Sequence, residues 1–268
     1  MSYLVVGAGG FIGGHLVSRL IKEKKKVTCV DIKPLDMWFQ KFEVCKNLSL
    51  DMKKYNNCLR VSENIDYVIN LACNMGGIGF IENNKAECML SVLINTNLLQ
   101  ACKNNKVKKY FFSSSACAYN TNLQKNTNLF GLKEEDAYPA MPEDGYGWEK
   151  LFSERMCRHF YEDFGIETRI ARFHNIYGPI GTYDGGREKA PAALCRKVIE
   201  AKINGNNTID VWGDGNQTRS FLYIDDCIEA IFRLFESDFR EPINIGSDEK
   251  VSINQLILII EKIAGVQL

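Results

Sequence analysis

Gly7-Ala8-Gly9-Gly10-Phe11-Ile12-Gly13 joins an apolar run, Tyr3-Leu4-Val5-Val6, to a stretch over residues 11–22 whose apolar side chains recur at helical spacing. A glycine pattern between a strand and a helix is the context that makes a dinucleotide site. Gly7, Gly10 and Gly13 permit a tight turn and a close approach of backbone to a pyrophosphate. The N–H groups of the helix start at Phe11 and Ile12 have no partner within the helix, and the dipole end there is positive. The bland alternative is a turn that only lets the helix pack on its strand. Asp31 argues against that: it closes the next apolar run at the position where an acid hydrogen-bonds the adenosine ribose and repels a 2′-phosphate. NAD is therefore the expected cofactor, with Lys33 the one nearby feature favouring NADP. Asp51 and Met52 either line the adenine or, for Asp51, cap the following helix. Leu71 and Ala72 are assigned to the same cofactor edge.

Working outward, apolar runs at 3–6, 26–31, 48–50, 66–72 and 109–113 alternate with helical patterns at 11–22, 52–61 and about 82–104. Alternation of this kind builds βαβ units and a parallel sheet, so the fold class is α/β, Rossmann-type and doubly wound. A loop at 120–128 rich in Asn and Thr interrupts the pattern. A helix over 146–164, stopped by Gly165, and a strand at 167–172 complete the first region. Residues 1–172 read as the NAD-binding domain and 173–268 as a smaller substrate region, with a glycine-rich passage through Gly186, a helix from Ala190 and short elements at 242–246 and 252–264.

The composition excludes several classes. With 33 basic and 33 acidic residues in 268, no net field recruits nucleic acid or an anionic membrane. No apolar run reaches membrane-spanning length, and the N-terminus lacks a secretory pattern. Ten cysteines lie singly in apolar settings without Cys-X-X-Cys spacing, so a reducing cytoplasm is expected rather than a disulfide scaffold. Three histidines without partners at ligand spacing give no metal site.

Tyr146 and Lys150 share one helix face a turn apart. With 11 tyrosines and 33 basic residues, about one or two such pairs arise by chance, and Tyr183/Arg187 is another. Location distinguishes them, because Tyr146 follows a strand that runs into Ser113-Ser114-Ser115, at the edge where parallel sheets bind ligands. Ser115, Tyr146 and Lys150 then form a proton-transfer set in which a neighbouring ammonium favours the phenolate over its ordinary pKa of about 10.

Taken with the glycine loop, Tyr146-Gly147-Trp148-Glu149-Lys150 and Arg219-Ser220-Phe221-Leu222-Tyr223-Ile224-Asp225-Asp226 resemble the extended short-chain dehydrogenase/reductases that act on nucleotide sugars. Three further stretches resemble the branch that epimerises GDP-mannose at carbons 3 and 5: Asn74-Met75-Gly76-Gly77-Ile78-Gly79-Phe80, Arg172-Phe173-His174-Asn175-Ile176-Tyr177-Gly178-Pro179, and Gly185-Gly186-Arg187-Glu188-Lys189-Ala190-Pro191-Ala192-Ala193. The resemblance covers essentially the whole chain. It implies NAD, a GDP-mannose-type substrate, a homodimer through the helices near 82–104 and 146–164, and redox roles for Ser115, Tyr146 and Lys150. Cys117 is implied as the base at the sugar and Lys189 as its complementary acid. Gly76, Gly77, Ser115, Asn175 and Lys189 are implied to hold the sugar and Arg219 the diphosphate, while His174 positions substrate or packs. Family members usually extend further at the C-terminus, so the chain reads as a shortened version.

This chemistry needs such a set. A ketone at carbon 4 acidifies the hydrogens on carbons 3 and 5, and inversion requires a base on one face and an acid on the other. Nearby Lys⁺ is expected to lower the Cys117 thiol from about 8.5. A 4-epimerase needs the redox set but neither Cys117 nor Lys189. A 4,6-dehydratase carries an Asp-Glu pair where this chain has Ala116-Cys117, and a silent NAD-binding protein would not need an intact Ser/Tyr/Lys set.

Overall fold

Alternating apolar side chains on each strand face two different helix layers, and that doubled burial selects a central parallel sheet. In the computed structural model, which describes residues 1–124 and 131–268, the strands are β1 Ser2–Val6, β2 Lys26–Asp31, β3 Lys46–Ser49, β4 Tyr67–Asn70, β5 Lys109–Ser115, β6 Glu167–Phe173, β7 Asn175–Tyr177, β8 Thr218–Tyr223, β9 Ile243–Ile245 and β10 Lys250–Ser252. The helices are α1 Phe11–Lys22, α2 Tyr55–Val61, α3 Ile78–Asn83, α4 Lys85–Met89, α5 Val92–Asn104, α6 Thr121–Gln124, α7 Asp144–Phe164, α8 Ala190–Asn204, α9 Ile224–Glu236 and α10 Ile253–Ala264. Seven strands form one parallel sheet in the order β3-β2-β1-β4-β5-β6-β9. The order reverses between β1 and β4, which opens a ligand crevice at their carboxyl ends.

Val5, Ile69 and Phe111 point into one layer with Leu16, Leu20, Ile228 and Ile231 of α1 and α9. Leu4, Val6, Val68, Tyr110 and Phe112 point into the other, against Cys58, Leu98, Leu99 and Cys157 of α2, α5 and α7. Beyond the sheet, β10-β8-β7 form a small sheet, and α8 packs on α10 around Leu194, Val198, Ile253 and Ile260. The chain after Phe173 is not wholly outside the first layer system: β9 pairs with β6, and α9 covers the sheet beside α1.

Several expected elements are redrawn. The single helix expected at 82–104 is three. Asn84 leaves helical geometry at φ −133°, its amide donating to Phe80 O at 2.9 Å, and Ser91 Oγ accepts from Asn74 N at 2.8 Å just before α5. Short polar side chains here compete with the helix ladder. The helix expected from 52 begins at Tyr55, because Asp51 Oδ1 accepts from Lys53 N at 2.9 Å and closes a separate turn first. Of the loop expected at 120–128, Asn120 is buried with its amide donating to Pro139 O at 2.8 Å, Thr121–Gln124 is a short helix, and residues 125–128 lie outside the described residues.

Helix α7 is fixed on the sheet by ionic groups in the interior. Arg172 of β6 meets Glu154 of α7 through Nε–Oε1 at 2.9 Å and Nη2–Oε2 at 2.8 Å, both side chains 2% exposed, and Ser114 of β5 donates to the same carboxylate. Breaking a buried pair from one side leaves an uncompensated charge. Arg172→Leu should therefore cost roughly 3–5 kcal/mol, read as a lowered urea midpoint, and the Arg172→Leu/Glu154→Leu double variant should recover much of it. An unchanged midpoint in the single variant would remove the pair from the account.

Candidate active site

The glycine loop has the shape a diphosphate needs. A Cβ on Gly13 would stand 2.1 Å from Gly7 O, and one on Gly7, at φ +87°, 2.9 Å from Ala72 N, so the turn closes this tightly only with glycine at both positions. Helix α1 begins at Gly10 with no side-chain cap, which leaves its first N–H groups for an anion. Phe11 packs against Gly181 at one side of this entrance, and Leu71 N donates to Val6 O at 2.8 Å beneath it. Asp31 sits at the end of β2, 8% exposed, with Oδ1 accepting from Lys33 N at 3.0 Å. Lys33 turns its ammonium toward Gly9 O and the Phe39 ring. Asp51 caps no helix, and Met52 is buried in the core 3% exposed, with its carbonyl taken by Cys58 Sγ.

Ser115, Cys117, Tyr146 and Lys150 come together where β5 ends against the start of α7. Ser115 is the centre: its Oγ accepts from Cys117 N at 3.2 Å, and both the Tyr146 phenol and the Cys117 thiol lie within its electrostatic reach. Lys150, 1% exposed, donates to Ser113 O at 3.0 Å, meets Glu149 Oε2 at 3.4 Å and lies 5.4 Å from the Tyr146 ring centroid. Gly147 permits this closeness, since a Cβ there would strike Cys117 O at 2.3 Å.

The other side of the cleft is built by two of the stretches singled out in the sequence, which meet each other. Gly77 N donates to Arg187 O at 3.2 Å, Arg187 donates to Asn74 Oδ1 at 2.9 Å, and its guanidinium lies 3.9 Å from the Phe80 ring centroid. Gly76 packs on Phe80 in the same turn. This contact places Lys189, at the N-cap of α8, within electrostatic reach of Cys117. Asn175 and His174 are not brought to that centre. Asn175 Nδ2 donates to Ser220 O at 3.0 Å, joining β7 to β8, and His174 Nε2 pairs with Asn244 Oδ1 at 3.0 Å. Arg219 is exposed on β8, its guanidinium donating to Thr218 O.

Three participants were not anticipated. Cys73, three residues past β4, lies within electrostatic reach of Lys150 and packs with Tyr146 and Cys117. Glu143 N donates to Cys117 O at 3.0 Å, which brings its carboxylate within electrostatic reach of the thiol. Glu149, 3% exposed, accepts from Ser153 Oγ at 3.1 Å. Only Glu149 lay inside a quoted motif; the other two acquire their place by tertiary contact.

The electrostatics depart from the expected activation. Burial pushes the Cys117 thiol up to about 12, with Glu143 adding to it, and the charge of Lys189 only partly offsets them. Burial lowers Lys189, against the opposing influence of Cys117. Burial also raises the Tyr146 phenol well above its ordinary value, aided by Cys73 and Cys117. For Lys150 burial acts downward, but Cys73 and Glu149 outweigh it and the ammonium is held. The neutral thiol is thus favoured where an activated thiolate was expected, because protein surrounds Cys117 while leaving only part of its surface open to the cleft.

A strand-order crevice, a glycine cradle and a Ser-Tyr-Lys set together define a dinucleotide-dependent enzyme of the short-chain dehydrogenase type. The chain belongs to the NAD dependent epimerase/dehydratase family, whose model matches residues 3–246. NAD is the cofactor, and the cradle, the free helix start and the acid at Asp31 suit it. The chain is 48% identical over 262 residues to GDP-mannose 3,5-epimerase 1 of Oryza sativa subsp. indica, covering 96% of this chain and 67% of that protein. It is 48% identical to GDP-mannose 3,5-epimerase of Arabidopsis thaliana, covering 94% of this chain and 66% of that relative. It therefore spans about two thirds of the length of these relatives. Among solved structures, a UDP-N-acetylglucosamine 4-epimerase from Methanobrevibacter ruminantium superposes with a TM-score of 0.84 at 28% identity, over 98% of this chain and 82% of that one. A UDP-glucose 4-epimerase of Thermotoga maritima shares the fold at a TM-score of 0.88 and 24% identity, over 100% and 84%. Among the described residues no helix is long and apolar enough to cross a membrane.

A thiol held near 12 is alkylated through its thiolate fraction. Iodoacetamide labelling of Cys117 in the free protein, followed on its peptide by mass spectrometry, should accelerate about tenfold per pH unit from neutrality to about pH 10. A plateau below pH 9 would mean that Lys189 activates the thiol in the free protein.

Proposed function

We propose that the chain epimerises GDP-mannose at carbons 3 and 5 through a 4-keto sugar, giving GDP-L-galactose and the 5-epimer. The observation that supports this reading is that Lys189 lies within electrostatic reach of Cys117, beside the contact between residues 74–80 and 185–193. Both relatives at 48% identity bear the name GDP-mannose 3,5-epimerase. A 4-epimerase would use Ser115, Tyr146 and Lys150 and leave Cys117 and Lys189 without work. In this proposal residues 1–172 supply the cofactor half and 173–268 most of the substrate half.

Bound NAD supplies a hydride acceptor for carbon 4 that later returns the hydride, and its cationic ring favours an ionised Tyr146. Tyr146 takes the proton of the carbon-4 hydroxyl, Ser115 holds that hydroxyl and the phenol oxygen in line, and Lys150 keeps a positive charge beside the phenol ring. Once carbon 4 is a ketone, its neighbours at carbons 3 and 5 lose protons readily. Cys117 and Lys189 stand as the acceptor and donor for those carbons. Transfer of the thiol proton from Cys117 to the Lys189 amine gives the thiolate acceptor and ammonium donor that the step needs. Taking a proton from the sugar on one face and giving one on the other then returns the pair to thiol and amine, so the step itself exchanges no proton with solvent. Gly76 and Gly77 are assigned to the sugar, and Arg219, an exposed cation on β8, to the diphosphate. Asn175 supports this region through β8 rather than by a free amide.

Exposed Leu90, Leu93, Trp148 and Phe152 on and beside α5 and α7 support a homodimer through those helices. The ten free thiols accord with a cytoplasmic setting.

The test begins with GDP-mannose and the protein, with product sugars resolved by NMR. Formation of GDP-L-galactose is expected, and production of only a 4-epimer would favour the other reading. Tyr146→Phe should lose about a hundred- to ten-thousand-fold in turnover, the usual range for a general base, with an unchanged far-ultraviolet dichroism spectrum. Turnover equal to the parent would exclude Tyr146. Cys117→Ala should still reduce the bound cofactor on addition of GDP-mannose, seen by absorbance, but should form no L-galactose product. Product at the parent's rate would make Cys117 a packing residue.

A further inference from the structure

Glu149 has no part in the proton transfers assigned so far, yet its carboxylate lies deep beside them. It is 3% exposed on α7, with Oε1 accepting from Ser153 Oγ at 3.1 Å. Oε2 is buried without a hydrogen-bond partner, and the cation it meets is Lys150, whose Nζ stands 3.4 Å away. Consecutive helical residues point about 100° apart and do not ordinarily face each other. These two meet where Lys150 reaches down to the sheet, its Nζ donating to Ser113 O at 3.0 Å and lying 4.8 Å from the Phe112 ring centroid.

The ammonium is thus held between a strand carbonyl and a carboxylate, 5.4 Å from the Tyr146 ring centroid. Ser113 O fixes its position but brings no charge. A lysine 1% exposed has lost its hydration, which favours the neutral amine. An opposite charge within about 4–6 Å favours the ammonium again. The other titratable groups around the pair are Tyr146 and Cys157 of α7, Cys73 beyond β4, Cys88 of α4 and Cys117 beyond β5. Glu154 of α7 is committed to Arg172. Glu149 is therefore the carboxylate available to Lys150.

We propose that Glu149 is a positioning residue for hydride transfer: its carboxylate pins the Lys150 ammonium beside Tyr146 and keeps it protonated through the pH range in which Tyr146 acts as base. The second half of that statement rests on the role given to Tyr146. At the phenol the two charges oppose each other. The carboxylate itself disfavours the phenolate, whereas the ammonium it retains favours it. Loss of the carboxylate is felt most on the alkaline side, where an unsupported Lys150 becomes an amine and its pull on Tyr146 disappears.

The direct readout is the titration of Lys150 in the full chain, followed by NMR on isotope-labelled lysine Cε, its signal identified by its absence in Lys150→Arg. In Glu149→Gln, which keeps the shape and the contact with Ser153, Lys150 should titrate about one to three pH units lower than in the parent. Ser153→Ala, which leaves the carboxylate charged, should titrate as the parent does. An unmoved Lys150 in Glu149→Gln would make Glu149 a packing residue and overturn the proposal. A second measurement needs no folded variant: the labelled carboxyl carbon of Glu149 in the parent should be ionised at neutral pH, and a protonated carboxyl there overturns the proposal too. The rate at which GDP-mannose reduces the bound cofactor should fall at correspondingly lower pH in Glu149→Gln. Coincident rate profiles beside a shifted Lys150 titration would overturn the link to hydride transfer. The NMR titrations involve no sugar, so their outcome is separate from any failure of the epimerase reading.

Discussion

The placement of α7 against the carboxyl end of β5 is the constraint on which the active site depends, and buried cations enforce it. Lys150 reaches back to Ser113 O, while Arg172 reaches across from β6 to Glu154. Glu149 and Glu154 supply the compensating charges, so the interior carries paired ions instead of isolated ones. With α7 held in this register, Tyr146 projects to Ser115 and Gly147 slides past Cys117 O. A shift of one residue would turn Tyr146 away by about 100° and leave Lys150 without its carbonyl.

The sugar side depends on a different kind of fit. Arg187 locks the 185–193 stretch to the 74–80 turn through Asn74, Met75 O and the face of Phe80. Glycine at 77 allows backbone to meet backbone there, and Lys189 is delivered to the cleft as the N-cap of α8. Burial then moves Cys117 and Lys189 in opposite directions, toward thiol and amine. Such a pair stores one transferable proton in a low-dielectric cleft without separating charge.

Much of this was legible in the chain itself where local chemistry dictates structure. The strand at 26–31 and the helix at 11–22 are found at those bounds, because glycines and a lysine-rich turn punctuate them. The doubly wound sheet and the grouping of Ser115, Tyr146 and Lys150 follow from strand alternation and the ligand edge of a parallel sheet. What depends on distant contacts was not legible. The breaks in 82–104 come from the Asn84 side chain and from Asn74 N reaching Ser91. Cys73 and Glu143 join the site only because β4 and the approach to α7 converge on Ser115. The rise of the Cys117 thiol reflects surrounding protein, which a neighbouring lysine in the sequence does not reveal.

The central claim is that one oxidation at carbon 4 serves proton exchange at two carbons. Incubating GDP-mannose with the protein in heavy water and mapping deuterium in the recovered sugar by NMR tests it directly. The account predicts deuterium at carbons 3 and 5 and none at carbon 4, where the same hydride returns. Turnover with no deuterium at carbons 3 and 5 would contradict it.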